Sequence, residues 1–223
     1  MAHKINPISF RIGIVLPWTS RWFFRKSLRF FLQEDVLIRD FIKSKILAAG
    51  IDAIEIERVG QQVKVNIRAA RPGLIIGRAG KGIDDLRRLL MQKVNRLRKE
   101  KGLPINPLIN INIEELKRFE VSAKVVAQQI AFDIEKRMPY RGVMKRTLSN
   151  VMQYKEVQGA KIKIGGRLNG AEISREDSLS NGQMPLQTLR ANIDYGEATS
   201  YNTYGTIGVK VWIYKGEVFD KKE

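Results

Sequence analysis

The chain changes its hydrophobic period several times. A helix is predicted from about Val36 to Ala49. Ile54-Glu-Ile-Glu-Arg58 then alternates apolar and polar residues, which sends one set of side chains to each face of a strand. Gly60-Gln61 makes a short turn, and Val63-Lys-Val-Asn-Ile67 alternates again as a second strand. Leu74-Ile75-Ile76 reads as an apolar, strand-like run that breaks at Gly77. Beyond it Ile83, Leu86, Leu90, Val94 and Leu97 recur every three or four residues, one face of an amphipathic helix. After Gly102-Leu103-Pro104, Ile109-Asn-Ile-Asn-Ile113 forms a third alternating strand.

A second unit follows with its own change of period. Ala123, Val126, Ile130, Ile134 and Met138 repeat at helical spacing, and Pro139 ends that helix. Another helix is predicted from Arg141 to about Tyr154, with Met144, Leu148 and Val151 inward. The period then shortens to two in Lys161–Ile164, Ala191–Tyr195 and Ile207–Ile213, three strands punctuated by glycines. Two helices packed on an antiparallel sheet account for this pattern. The segment Ser174–Gln183 reads as a loop. The expected organisation is an arm over 1–19, an α+β domain over 20–115, a second α+β domain over 116–218 and a polar tail over 219–223. The arm carries Pro7 and Pro17, and its hydrophobic residues suggest an extended segment that docks elsewhere.

The stretch with the most chemical content is Gly77-Arg78-Ala79-Gly80-Lys81-Gly82. Its two outer glycines allow backbone to approach backbone, and the helix that starts there aims N–H groups and a positive dipole end outward. Arg78 and Lys81 add full charges, and the loop holds no acid. By itself a G-x-x-G is most often an ordinary turn. Preceded by a helix and two strands and followed by a helix and a strand, it resembles the RNA backbone clamp of a type II KH domain.

Charge points the same way. The 223 residues carry 40 Lys and Arg against 23 Asp and Glu, a net charge of +17. Such an excess suits a polyanionic partner, nucleic acid first and an anionic membrane surface second. The aromatic run Trp22-Phe23-Phe24-Arg25-Lys26 with Leu28, Phe30 and Phe31 imitates a membrane-surface helix weakly, and is better read as anchors packing a short segment onto a domain. No apolar run approaches a membrane span, and Ile12–Leu16 is too short for a secretion signal. With no cysteine and the single His3, the sequence excludes disulfides, paired Cys/His zinc motifs and histidine-dependent triads. No cofactor or metal is expected, and nothing points to an enzyme.

Basic residues are expected on the solvent faces of several elements: Arg87, Arg88, Lys93, Arg96 and Arg98 on the loop-helix, and Lys161, Lys163, Arg167 and Lys210 on the second sheet. Lys4 and Arg11 charge the arm. Lys136 and Arg137, with Arg141, Lys145 and Arg146, place five cations within eleven residues and no acid among them. Arg141 and Lys145 share a helix face. Each charge alone is ordinary solvated surface, but together they suggest phosphate binding.

Several ordered stretches resemble the bacterial-type small-subunit ribosomal protein S three family. They are Lys4–Pro7, Phe10–Val15, Ala70–Gly80, Met144–Arg146, Gly166–Ile173, Pro185–Arg190 and Thr203–Ile213, which span nearly the whole chain. The resemblance implies a structural component of the small-subunit head that binds ribosomal RNA through surfaces including Lys4, Arg11, Lys161, Lys163, Arg167, Arg190 and Lys210. It implies ribosomal proteins S ten and S fourteen as neighbours and contact with messenger RNA at the entry channel. The family's unwinding cluster falls on Arg141, Gly142 and Lys145, beside Arg137 and Arg146; a second arginine is common in the family where this chain has Gly142. Ser174–Gln183 also departs, with Glu176 and Asp177 where relatives are often basic or aromatic. The resemblance implies a cytoplasmic ribosome, with a plastid ribosome as the other setting. A free-standing KH regulator or assembly factor is the alternative function, and a nucleic-acid lyase or nuclease a distant third.

Overall fold

The computed structural model describes residues 4–22, 28–60, 62–77, 80–102 and 107–219. They form two compact units, one over Trp18–Lys117 and one joining the arm through Pro17 to the chain from Arg118 onward. The arm is therefore not simply extended: it contains a short helix, α1 (Pro7–Arg11), capped by Asn6, whose side chain accepts the Ile8 N–H at 2.9 Å.

The unit over Trp18–Lys117 is a four-stranded sheet covered on one face by helices. Strand β1 (Ser20–Arg21) leads to α2 (Leu28–Ile46), which starts eight residues before its predicted beginning. Then come β2 (Ile51–Val59) and β3 (Gln62–Ala69), the hairpin expected from the alternation. Leu74–Ile76, read as strand-like, instead belongs to a short helix, α3 (Pro72–Ile76); only Ile75 is buried, while Leu74 is 62% exposed. Pro72 fits the first turn because its missing N–H would have no helical partner there. Helix α4 (Lys81–Glu100) and strand β4 (Leu108–Glu115) complete the unit. The sheet order is β1-β2-β3-β4, with β4 parallel to β3 at one edge. The core joins Ile38, Ile42 and Phe41 of α2 to Leu90 and Val94 of α4 over Ile56, Val65, Ile67 and Ile109.

Four charges lie inside this unit. Glu34, Asp35, Arg58 and Arg98 are all buried. Arg58 pairs with Asp35 and lies 3.1 Å from Glu34, while Arg98 donates to both Glu34 oxygens at 3.0 and 3.1 Å. Trp22 and Ser20 donate to the other Asp35 oxygen at 3.1 and 2.8 Å. The network ties α2 to β2 and α4, and it corrects the expectation that Arg98 sits on the solvent face. Trp22 also meets Phe31 edge to face at 5.8 Å, as an anchor would; Phe23–Lys26 lie outside the described residues.

The other unit places α5 (Ala123–Glu135) and α6 (Tyr140–Met152) on one face of an antiparallel sheet. Its strands are β5 (Gly159–Gly166), β6 (Arg175–Gly182), β7 (Ala191–Asn202) and β8 (Gly205–Glu217), in the order β6-β5-β8-β7. Ser174–Gln183 is thus mostly an edge strand rather than a loop. Its polar sequence hid it, because Leu179 alone packs against the helix-side core. Helix α5 ends at Glu135, so Met138 is exposed rather than inward, and Pro139 caps α6. On the opposite sheet face Ile193, Tyr195, Trp212 and Tyr214 form a second cluster, and Ile8 of α1 packs on it.

Candidate nucleic-acid interface

At the glycine-rich stretch, local backbone geometry explains why three glycines are used. Gly77 ends α3 at φ 69°, and its N–H reaches the Gly73 carbonyl at 3.0 Å. A Cβ on Gly82 would fall 2.5 Å from the Ile75 oxygen, so only glycine lets α4 begin this close to α3. Gly80, at φ 79°, is the N-cap of α4 and supplies no side chain to the first N–H groups. Those donors and the exposed Lys81 are the described part of the expected clamp; Arg78 and Ala79 lie outside the described residues. Asp84 sits in the first turn as its acidic counterweight.

Beside this helix start, a cleft of about 410 Å³ runs along the β4 edge, lined by Lys64, Ile83, Asp84, Arg87, Asn110, Ile111 and Asn112. Lys64, Asn110 and Asn112 escaped the sequence reading. The signal was present, since both asparagines hold the polar positions of an alternating strand. Of the α4 cations, Arg87 lines this cleft, Arg88 pairs with Asp85 at 2.8 Å and Arg96 with Glu100 at 3.5 Å. Lys93 lies over the Phe41 ring at 4.6 Å.

The other unit separates the expected basic surface into engaged and outward groups. Arg11 is fully buried and is a correction: its guanidinium donates to the carbonyls of Ala191 at 2.7 Å, Pro7 at 3.0 Å, Leu186 at 3.0 Å and Thr188 at 2.8 Å. It fastens the arm to the strand bearing Ala191 and presents no charge to a ligand; burial also pushes its pKa down. Arg167 donates to Ala171 and Tyr204 carbonyls, both at 2.9 Å. Arg190 pairs with Glu217 at 2.6 Å. On the sheet face shared with Trp212, Lys161 and Lys163 alternate along β5, and Lys210 of β8 pairs in register with Lys163. The Lys161 pKa is lowered by burial, and then by the neighbouring charges of Lys4 and Lys163. Lys163 is partly answered by Glu176 at 2.6 Å.

The α5–α6 junction is not as free of acids in space as in sequence. Arg146 reaches Asp133 at 2.9 Å, and Arg141 Nε lies 3.7 Å from Asp177. Asp133 lies on the preceding helix, three residues before the cluster begins at Lys136, and Asp177 comes from β6, so the eleven-residue cluster itself contains neither. Arg137, Arg141, Lys145 and Arg146 are all exposed, while Val143 and Met144 between them are buried.

Among the described residues no cluster of potential metal ligands occurs, and no helix is long and apolar enough to cross a membrane. Residues 37–121 match the KH domain, and residues 130–213 match the ribosomal protein S3, C-terminal domain. Small ribosomal subunit protein uS3 of Desulfitobacterium hafniense is 44% identical over 223 residues, covering 100% of this chain and 96% of that protein. The protein of that name from Thermodesulfovibrio yellowstonii is 47% identical over 218 residues, 98% and 95% of the two chains. The Desulfovibrio desulfuricans protein is 46% identical over 222 residues, 100% and 99%. With both units matched in order and the likeness running the full length, the chain belongs to the small ribosomal subunit protein uS3 family.

Proposed function

We propose that this chain is a structural component of the small ribosomal subunit in the cytoplasm, binding ribosomal RNA and contacting messenger RNA where it enters. The full-length likeness to uS3 proteins at 44–47% identity carries the reading, and the net charge of +17 supports it. Each unit offers its own ribosomal RNA surface: on one, the G-x-x-G end of α4 (Gly77, Arg78, Ala79, Gly80 and Lys81) with the adjoining β4 cleft; on the other, Lys4, Lys161, Lys163 and Lys210. Arg167 and Arg190 contribute at its edge, and Arg11 holds the arm in place behind it. Ribosomal proteins S ten and S fourteen are its neighbours on this reading. Messenger contact falls to Arg137, Arg141, Lys145 and Arg146.

Unwinding by these residues is passive. No G-x-x-x-x-G-K-[ST] loop is present to hold a nucleotide triphosphate. Opening a base-pair step costs roughly 1–2 kcal/mol, and exposed cations on α6 offset part of this by holding a transiently opened strand while translocation supplies the work. The test is translation by ribosomes carrying Arg141→Ala with Lys145→Ala, through a stable hairpin and through an unstructured message. Slowing on the hairpin alone, with normal subunit assembly, is expected. Equal slowing on both messages refutes the unwinding role and leaves a general grip on RNA.

A further inference from the structure

A second cleft, of about 460 Å³, opens between the α5–α6 turn and the tip of the β7–β8 hairpin. Two phenol rings stand exposed on its hairpin side, Tyr201 at 74% and Tyr204 at 62%. Arginines 137 and 167 also line it. The only carboxylate in the lining, Glu135, already accepts the Tyr201 N–H at 3.0 Å.

The backbone of this cleft is unusual. Among the described residues, Arg137 at φ 63° and Asn169 at φ 54° are the two non-glycine residues with left-handed backbone, and both line it. Arg137 closes α5: its N–H bonds the Ile134 carbonyl at 2.9 Å, and the Met138 N–H bonds Asp133 at 3.1 Å. Glycine is the usual residue in that closure, because a Cβ is disfavoured at positive φ. Arginine here works against stability, so its side chain needs another reason to be present.

The aromatic wall is also held in position. Arg167 bonds the Tyr204 carbonyl at 2.9 Å, fixing the hairpin tip to the turn after β5. A Cβ on Gly170 would lie 3.4–3.6 Å from the Tyr204 ring, so the ring rests against bare backbone and leaves most of its surface to solvent. Exposed, braced rings beside guanidinium groups suit a flat heterocycle linked to a phosphate, as in single-stranded nucleic-acid sites.

We propose that this cleft takes one unpaired nucleotide of an RNA strand, with its base stacked on Tyr204, Tyr201 completing the wall and Arg137 meeting the phosphate. The proposal rests on the RNA-binding reading above and adds a defined nucleotide site to it. The test is photocrosslinking of the full chain with an octaadenylate carrying one 4-thiouridine, following the crosslink on the peptide that holds Tyr201 and Tyr204 as RNA is titrated. Tyr204→Ala is expected to raise the half-saturation concentration roughly tenfold, the loss of one stacking platform. Tyr204→Phe leaves it in place, and an abasic octamer competes far less well than octaadenylate. Arg137→Gly gives the most discriminating result: a higher melting temperature together with a weaker titration. Crosslinks confined to other peptides overturn the cleft while the RNA reading stands. Crosslinks nowhere overturn both. A hairpin crosslink indifferent to Tyr204→Ala, or lost equally in Tyr204→Phe, also overturns the stacked base and leaves the rings to a protein partner.

Discussion

Arg141 Nε lies 3.7 Å from Asp177 Oδ2, so a cation proposed to hold messenger faces a carboxylate on the neighbouring edge strand. Arg141 is 75% exposed, and pairs of this kind are worth less than about 1 kcal/mol. The carboxylate therefore competes with phosphate without abolishing its capture. Asp177→Asn is expected to tighten binding of single-stranded RNA about two- to fivefold, within that energy. If Arg141 then neutralises one more phosphate, the slope of log affinity against log salt steepens by about 0.7. Fluorescence anisotropy at several salt concentrations measures both quantities. Unchanged affinity and slope would remove Arg141 from the phosphate surface.

Arg96 and Arg98 are two residues apart on α4 and behave oppositely. Arg96 is 85% exposed beside Glu100, whereas Arg98 is buried on Glu34. Arg98→Ala leaves that carboxylate with Arg58 alone and is expected to destabilise the unit by about 3 kcal/mol. Arg96→Ala should cost less than about 0.5 kcal/mol. Urea unfolding of the two variants decides it, and equal costs would contradict the buried network.

That pair also shows what the sequence could and could not reveal. Alternation in Ile54–Arg58, Val63–Ile67 and Ile109–Ile113 located three strands, because one covered sheet face imposes a period of two. The same logic identified the α4 face through Leu86, Leu90, Val94 and Leu97, all buried. Arg11 and Arg98 depart from the sequence expectation because charge ordinarily marks surface, and the partners that bury them are mostly distant, Ala191 lying 180 residues from Arg11 and Glu34 lying 64 from Arg98. Three apolar residues were too few to assign a period to Leu74–Ile76. The acids facing Arg141 and Arg146 come from other elements, so no local window could reveal the pairing. The loop and the cations stand out in the sequence, but which of those charges tertiary neighbours engage does not.

Tyr195 provides a test at high pH. Burial, reinforced by the bond from its hydroxyl to Glu197 at 3.0 Å, pushes its pKa from 10.0 up to about 12. The folded chain keeps that proton where the unfolded chain releases it. Its contribution is thus complete below pH 10 and disappears as pH rises through about 12, by at most about 3 kcal/mol. In chemical denaturation, wild type should lose more stability than Tyr195→Phe over this range. Parallel losses would show that the phenol is not held neutral by the fold.

Gly82 offers a prediction in which two effects have opposite signs. It lies in the first turn of α4, where helix propensity alone favours alanine by up to about 1 kcal/mol. Against this, the added Cβ would meet the Ile75 oxygen at 2.5 Å and the Ile76 oxygen at 2.9 Å, backbone atoms that cannot swing aside as a side chain would. Forced overpacking costs about 1–3 kcal/mol, enough to win. Gly82→Ala is therefore expected to lower stability and to push the start of α4 away from α3, weakening RNA binding in the protein that remains folded. Gly80→Ala is the control: its Cβ meets nothing within 4 Å, so its cost of about 1–2 kcal/mol comes from φ 79° alone. Thermal melts and RNA titrations of both variants separate the effects. A Gly82→Ala protein as stable as wild type would mean that α4 can start elsewhere and that the close approach does not shape the proposed phosphate-binding end.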